Sequence, residues 1–292
     1  MKKQFLFLFS IFFLIQACAQ NQKTETSSLS SEITYTEKDA EIFADILSKY
    51  KDESDKPIAT LIPEIGKYFL GQEYVAHTLE VNEEEKLIVN LRELDCTTYA
   101  ENLLALARTI KSENQSFGQF AKEIEKIRYR DGKRDEYPSR LHYFSDWIYN
   151  NKDNDLVTTP ADSFGNPFPN KVSFMSNNPE SYKHLKNNPD YVSVIEQQEK
   201  EINEKNYFFI PKENIAEYEH LLKEGDIIGL TTSINGLDVA HVGVLVEQNG
   251  KLHLLHASQS KLKVEISDEP ISSFLKPESK NTGIMIARPV EI

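Results

Sequence analysis

Two apolar segments near the C-terminus, 241–247 and 251–258, are joined through Asn249-Gly250. No other local pattern constrains the fold of this chain as strongly, because Asn-Gly is a preferred dipeptide of two-residue β-hairpin turns. Each segment has the length and apolar content of a strand, so the two are predicted to be adjacent and antiparallel. The sequence therefore predicts an antiparallel sheet in the C-terminal third of the chain.

The register of this hairpin decides which histidines can meet. With a two-residue turn, His253 lies opposite Val246, and His256 lies opposite Gly243. Opposed residues share a face of a sheet and faces alternate along a strand, so His241 is predicted on the same face as His256. Glycine at 243 leaves room for the two rings to approach, and His253 points to the other face. A three-residue loop would exchange the roles of His253 and His256.

Helical patterns precede the strands along the chain. Apolar residues at helical spacing follow three candidate capping residues, Thr36, Asp95 and Ser116, and a further helix is predicted over Ser139–Asn150. Lys86–Leu91 is a strand candidate. Further strands are predicted over 226–230, 239–247, 251–258, 262–266 and 283–288. Helices followed by an antiparallel sheet indicate the α+β class.

The first 17 residues have the pattern of a secretory signal, with two lysines before an apolar run that is too short to span a membrane. Ala17 directly precedes Cys18, which resembles a bacterial lipoprotein signal in which Cys18 becomes the lipidated first residue. The alternative is an ordinary signal peptide in which Cys18 is incidental. Residues 18–35 are polar and rich in Ser, Thr and Gln, as is typical of a flexible tether.

These boundaries predict one domain over residues 36–292, with an elaboration rich in Asn, Pro and charge at about 151–211. The chain has 46 acidic and 33 basic residues and a net charge of −13. Such an acidic balance argues against sequence-independent nucleic-acid binding, which depends on Lys and Arg. We expect a protein of the bacterial cell envelope, periplasmic and attached to a membrane through its N-terminal lipid.

Cys96 is the one thiol left if Cys18 carries lipid, and it is predicted at a helix N-terminus with Asp95 as the cap. The helix dipole and free amides at such a position lower a thiol pKa, and a histidine can act as its base. A second polar group would orient that imidazole, and backbone amides could form an oxyanion hole. Spacing alone leaves a chance association of Cys96 with distant histidines equally open.

A zinc site is the metal alternative, built from His241, His253 and His256. Residues 253 and 256 point to opposite faces of a regular strand, which disfavours three ligands around one ion. We therefore predict no metal and no other cofactor.

Several separated motifs resemble one enzyme family. Four motifs resemble those of the NlpC superfamily of papain-like cell-wall cysteine peptidases and amidases, and they follow one another in the same order. They lie at 95–99 (DCTTY), 225–228 (GDII), 241–243 (HVG) and 256–258 (HAS). More narrowly, four segments resemble the N-acetylmuramoyl-L-alanine amidase-like branch, which was first catalogued as a domain of unknown function. They are 71–80 (GQEYVAHTLE), 94–101 (LDCTTYAE), 139–147 (SRLHYFSDW) and 236–243 (GLDVAHVG). The resemblance spans roughly residues 37–290.

The resemblance implies a papain-like core in which the helix that begins at the catalytic cysteine packs on the C-terminal antiparallel sheet or barrel. It implies Cys96 as nucleophile, His241 as general base and acid, and His256 as the orienting third member. Tyr74 would contact the substrate or the oxyanion. The gap between His241 and His256 is three residues longer than in many members, which keeps His253 as a rival.

The implied substrate is a peptidoglycan fragment, cut at the amide between N-acetylmuramic acid, in its 1,6-anhydro form, and L-Ala.

Arg140, Tyr143 and Trp147 have helical spacing, and a stripe of this kind commonly faces a core. The resemblance instead favours Arg140, His142 and Tyr143 in the substrate cleft, together with Thr97 beside the nucleophile. Two other functions stay open: a γ-D-glutamyl-diamino acid endopeptidase of the same fold, and a muropeptide-binding lipoprotein without catalysis.

Overall fold

The computed structural model describes residues 33–292. The predicted signal segment, Cys18 and most of the predicted tether lie outside the described residues. Within 33–292, no helix combines the length and apolar character needed to cross a bilayer.

Five helices of at least ten residues form most of the N-terminal half. They are α1 (Glu37–Tyr50), α2 (Ile58–Tyr68), α3 (Cys96–Lys111), α4 (Phe117–Arg128) and α5 (Phe144–Asp153). The predicted caps are confirmed. Thr36 forms a capping box with Asp39, the Asp95 carboxylate accepts the Thr98 N–H, and the Ser116 hydroxyl accepts the Gln119 N–H.

The last of these helices begins later than predicted. Residues 137–139 form a short 3-10 turn, and Arg140 and Tyr143 have extended backbones, so α5 starts only at Phe144. The Asp238 carboxylate accepts the Ser145 N–H at 2.7 Å and so caps the helix from a distant segment. The prediction that Arg140 and Trp147 share one helical side is therefore wrong.

Eight strands form one sheet, and every pairing in it is antiparallel. Two short strands of two residues each, β1 (Ile33–Thr34) and β2 (Leu87–Ile88), form a separate parallel ladder. The strand predicted over Lys86–Leu91 is therefore only two residues long. The sheet contains β3 (Val157–Thr158), β4 (Asn166–Pro167), β5 (Phe208–Pro211), β6 (Ile227–Thr232), β7 (Val239–Gln248), β8 (Lys251–Ser258), β9 (Lys263–Pro270) and β10 (Asn281–Pro289). Its order is β4-β5-β10-β6-β7-β8-β9, with β3 also paired to β10. Together with the helices, this confirms the α+β class.

The hairpin between β7 and β8 has the predicted register. Val246 pairs with His253, and Gln248 pairs with Lys251. Asn249 and Gly250 have φ of 53° and 73°, as a two-residue turn of this hand requires. The two-residue alternative is therefore the correct one.

Both faces of the sheet are buried. Val244 and Val246 belong to the core that the five long helices cover. Leu245 and Leu254 belong to a second core, under two short helices, α9 (Ile215–Tyr218) and α10 (Ile271–Phe274). Alternation along β7 thus directs neighbouring side chains into different cores.

The segment 151–211 has two structural parts. Its helices α6 (Phe174–Asn177), α7 (Lys183–Asn187) and α8 (Pro189–Glu204) pack on a third apolar cluster that includes Tyr143 and Ile195. Its last strand, β5, pairs with β10 inside the main sheet. The end of this segment is therefore integral to the sheet.

Candidate active site

A cavity with an empty volume of about 530 Å³ lies between the N-terminus of α3 and the start of β7. Cys96 and His241 both line it, so the fold brings together two candidates that are far apart in sequence. The rest of the lining is Thr97, Ala100, Glu101, Leu141, His142, Phe144, Trp147, Ile227, Asp238, Val239, Ala240 and Val242.

Cys96 is the first residue of α3 and is half-buried. The Asp95 carboxylate accepts the Thr98 amide at 2.7 Å and the Thr98 hydroxyl at 2.8 Å, which fixes the helix start. The amides of Cys96 and Thr97 precede the capped amide and have no acceptor within the helix. They are therefore placed to bind negative charge next to the thiol.

Burial raises the pKa of the Cys96 thiol to about 11, and the Asp95 carboxylate adds to the shift. Hydrogen bonds from the backbones of Val242 and Thr97 act in the opposite direction without reversing it. The sequence prediction of a lowered thiol pKa is therefore wrong. Desolvation of the thiolate and the adjacent carboxylate outweigh the helix N-terminus.

His241 and His256 are hydrogen-bonded to each other, with 2.6 Å between His241 Nε2 and His256 Nδ1. A β-bulge in the pairing of β6 with β7, beside His241, interrupts the register and re-aims the strand. Burial lowers the pKa of His241 to about 4 and that of His256 to about 3. Both rings are neutral at neutral pH.

His253 lies on the other face of β8. It is buried, and its Nδ1 contacts the Ser267 carbonyl oxygen at 2.8 Å. His241, His253 and His256 therefore do not converge on one point, and no cluster of three or more His, Cys, Asp or Glu side chains within 33–292 is arranged to hold a metal ion. The strand register therefore makes His256, and not His253, the hydrogen-bond partner of His241.

Tyr74 is half-buried near the thiol. Burial raises its pKa to about 12, and the charges of Cys96 and Asp95 contribute to the shift. Its backbone amide donates to the Leu262 carbonyl, and it forms a bridge with Leu94, immediately before the α3 cap. The side chain is therefore a neutral hydroxyl at neutral pH, close enough to Cys96 for their charges to interact, although it does not line the cavity that Cys96 shares with His241.

A second cavity, with an empty volume of about 1290 Å³, adjoins the first and shares four lining residues with it, Thr97, Glu101, Leu141 and His142. His142 Nε2 lies 3.0 Å from the Tyr137 carbonyl oxygen, and burial lowers the pKa of His142 to about 3. The neutral ring donates from Nε2 and keeps Nδ1 as an acceptor.

Arg140 and Tyr143 are placed differently from one another. Arg140 lines the second cavity, but its guanidinium is buried and paired with Glu80 at 2.8 Å and Glu85 at 2.6 Å. Tyr143 lines neither cavity; its hydroxyl donates to Glu199 at 2.6 Å inside the third apolar cluster. The structure therefore does not bring Tyr143 to the cleft, because the extended backbone before α5 turns it away.

Two residues for which the sequence predicted no role in the site line the cleft. Glu101 lines both cavities and forms a buried ion pair with Arg128 at 2.7 Å. Trp147 stacks on Phe144 at a centroid distance of 5.5 Å. A charged residue within the apolar run of α3 was the available signal for Glu101; nothing in the sequence distinguished Trp147 from a core residue.

Comparison with known proteins decides the family. Residues 64–284 match the family described as AmiA-like, N-acetylmuramoyl-L-alanine amidase-like. The chain belongs to this family. No curated protein sequence matches this amidase-like chain.

Solved structures agree with this membership. An N-acetylmuramoyl-L-alanine amidase from Bacteroides uniformis is 39% identical, with a TM-score of 0.76, over 80% of this chain and 98% of its own. A Bacteroides fragilis protein described as a candidate xylanase is 41% identical, with a TM-score of 0.73, over 76% and 98%. A Legionella pneumophila protein shares the fold at 21% identity, with a TM-score of 0.61, over 85% and 94%. Membership of the amidase-like family indicates a hydrolase that acts on peptidoglycan-derived material.

Proposed function

We propose that this protein is a papain-like cysteine amidase that cuts the bond between N-acetylmuramic acid and L-Ala in peptidoglycan fragments. The observation that carries the proposal is the shared cavity of Cys96 and His241, with His241 hydrogen-bonded to His256. A thiol at a helix N-terminus, an imidazole base and a polar group that orients it are the parts that acyl transfer requires. The Bacteroides uniformis relative carries the name of the same activity.

The proposed reaction starts from neutral groups. His241 Nε2 is engaged in the hydrogen bond with His256. His241 Nδ1 is therefore the ring nitrogen that accepts the thiol proton as the sulfur attacks the amide carbonyl. The proton then passes to the departing L-Ala amine, which leaves a thioester on Cys96. Water deprotonated by His241 then attacks the thioester carbonyl. The C–S bond breaks, the sugar acid is released, and His241 returns the proton to the Cys96 sulfur.

Groups at the start of α3 would stabilise the negatively charged oxygen of the tetrahedral intermediate. The amides of Cys96 and Thr97 have no helical acceptor and can donate to the tetrahedral oxygen. The Tyr74 hydroxyl, protonated because its pKa is about 12, adds a third donor. The reaction so written needs no metal or cofactor.

The finer substrate and location belong to the same proposal. We assign the 1,6-anhydro form of the sugar because the segments at 71–80, 94–101, 139–147 and 236–243 resemble a branch of amidases that favours it. The second cavity offers space for the parts of the fragment beyond the scissile bond. The signal pattern of residues 1–17 and Cys18 supports a lipid-anchored periplasmic protein.

Glycoside hydrolysis, suggested by the name of the Bacteroides fragilis relative, needs two carboxyl groups that flank the scissile bond. The carboxylates that line the first cavity are otherwise engaged. Glu101 is paired with Arg128, and Asp238 accepts the Ser145 and Val239 amides. The site therefore favours amide cleavage by the thiol.

The test is turnover of a defined anhydro-muropeptide by wild type, Cys96→Ser and His241→Ala, with exposed His220→Ala as a matched control. We expect loss of activity in the first two variants and wild-type activity in the control. Alkylation of Cys96 should abolish turnover, whereas a chelator should not. Activity that survives in Cys96→Ser, or that a chelator removes, would refute the thiol mechanism, and an inactive wild type that still binds the fragment would indicate a binding protein.

A further inference from the structure

We propose that Glu265 is a positioning residue that fixes the tautomer of His256 and so keeps His241 in the form that can accept the Cys96 proton. The inference rests on the proposed function and extends the site by one residue. Glu265 pairs directly with His256 across β8 and β9, and opposed residues share a face of the sheet. A row of side chains therefore runs from His241 through His256 to Glu265.

The outer nitrogen of His256 has no hydrogen-bond partner within residues 33–292. His256 is only 4% exposed, and its Nε2 is completely buried. The nearest carboxylate oxygen is Glu265 Oε1, at 3.9 Å. A buried ring nitrogen is stable in this position only when its protonation state suits its surroundings, and a carboxylate at this distance favours a hydrogen on the nitrogen that faces it.

The contact between the two histidines has two chemical versions. In one, His241 Nε2–H donates to His256 Nδ1, and His241 Nδ1 keeps a lone pair for the thiol proton. In the other, His256 Nδ1–H donates to His241 Nε2, so the neutral His241 carries its hydrogen on Nδ1 and cannot act as the base. With a hydrogen on Nε2, His256 points a donor at Glu265 Oε1, whereas the other tautomer would set two lone pairs against each other in a buried place, and this selects the first version.

The surroundings hold Glu265 in this position. Its side chain is 13% exposed, and its Oε2 forms an ion pair with Lys261 at 3.0 Å. Lys261 also pairs with Asp268 at 3.0 Å, and Asp268 is 86% exposed. The Phe274 ring packs against the His256 ring at a centroid distance of 5.8 Å and an interplanar angle of 69°. Asp268 offers a matched control, because it shares Lys261 with Glu265 and is not the strand partner of His256.

The experiment measures the tautomer directly, by ¹⁵N NMR of the intact protein labelled at histidine, in wild type, Glu265→Gln and Asp268→Asn. We expect His256 to carry its hydrogen on Nε2 in wild type and in Asp268→Asn. In Glu265→Gln, a measurable fraction should carry it on Nδ1. A wild-type His256 with its hydrogen on Nδ1, or an unchanged tautomer in Glu265→Gln, would overturn the proposal.

Kinetics on the muropeptide provide the second readout. Glu265→Gln should lower kcat by about tenfold with KM little changed, because the base is misprotonated while binding is intact. Asp268→Asn should retain wild-type kcat. A kcat that falls equally in both variants would show a general charge effect and contradict the assignment. The NMR result stands without turnover, so a wild type that shows the expected tautomer but cuts nothing would refute the proposed function and not the role of Glu265.

Discussion

His241 Nε2 lies 2.6 Å from His256 Nδ1, and the two imidazole rings meet at 89°. The contact joins β7 to β8 across the position of Gly243, which has no side chain to separate the rings. It uses one nitrogen of each ring and leaves His241 with a single free nitrogen at the cleft. A histidine that is oriented in this way can act as a base, whereas a freely rotating one would lose alignment.

Replacement of His256 by alanine should lower kcat by about 100-fold or more, because His241 would lose the partner that fixes its tautomer and orientation. His253→Ala is the matched control on the same strand. It removes a buried hydrogen bond to Ser267 and should lower stability while most of the activity per folded molecule remains. Initial rates, normalised by active-site titration of the thiol, would check both. Equal loss of kcat in the two variants would contradict the assignment of His256.

Gly243→Ala should disrupt the histidine contact. A Cβ at this position would lie 3.0 Å from the His256 Cβ and 2.7 Å from Leu254 Cδ1, so the strand or its neighbours must shift. We expect a stability loss of about 1–3 kcal/mol and a fall in kcat of about 10- to 100-fold. Gly250→Ala, in an open turn with φ of 73°, should cost about 1 kcal/mol and leave kcat unchanged. Denaturant unfolding and initial rates measure both quantities.

The Cys96 thiol should be protonated at neutral pH, so its reaction with an alkylating agent is limited by the small fraction present as thiolate. With the pKa of Cys96 near 11 and that of His241 near 4, the thiolate–imidazolium pair is scarce at neutral pH. The rate of iodoacetamide labelling at Cys96, located by peptide mass spectrometry, should rise about tenfold per pH unit through the neutral range towards pH 11. A plateau across the neutral range would indicate a preformed ion pair and contradict these shifts.

Arg140 should matter for stability more than for charge recognition. Its removal leaves the Glu85 carboxylate, whose side chain is only 3% exposed, with the Tyr129 hydrogen bond but without the cation that it pairs with. Arg140→Met should therefore cost about 3–5 kcal/mol. Arg134→Met, at a partly exposed pair 3.7 Å from Glu125, should cost less than about 1 kcal/mol. Thermal and denaturant unfolding of the two variants would decide, and equal costs would refute the argument.

Local sequence signals predicted much of the fold because they act over short distances. The Asn249-Gly250 turn fixed the register of the hairpin, and capping residues such as Asp95 fixed the starts of helices. The start of α5 escaped prediction because its cap, Asp238, is distant in sequence. Tertiary ion pairs likewise hold Arg140 in an extended segment that its helical spacing did not indicate.

The candidate site was likewise predictable only where local sequence signals determine it. The hairpin register placed His241 beside His256, but it contained no information about the next strand, so Glu265 was missed. The direction of the Cys96 pKa shift was also missed. Helix position suggested a lowered value, whereas burial, which only the folded structure reveals, raises it, and the neighbouring Asp95 carboxylate adds to the shift. The catalytic roles of Cys96, His241 and His256 stay predictions until variants are assayed.

Mass spectrometry of the products that wild type and Cys96→Ser release from a defined anhydro-muropeptide would show which bond is cut and whether the Cys96 thiol is required. We expect free 1,6-anhydro-N-acetylmuramic acid and a peptide that begins with intact L-Ala from wild type, and no product from Cys96→Ser. A sugar that retains L-Ala-D-Glu would identify an endopeptidase of the same fold. That result, or any turnover by Cys96→Ser, would contradict amide cleavage by the Cys96 thiol.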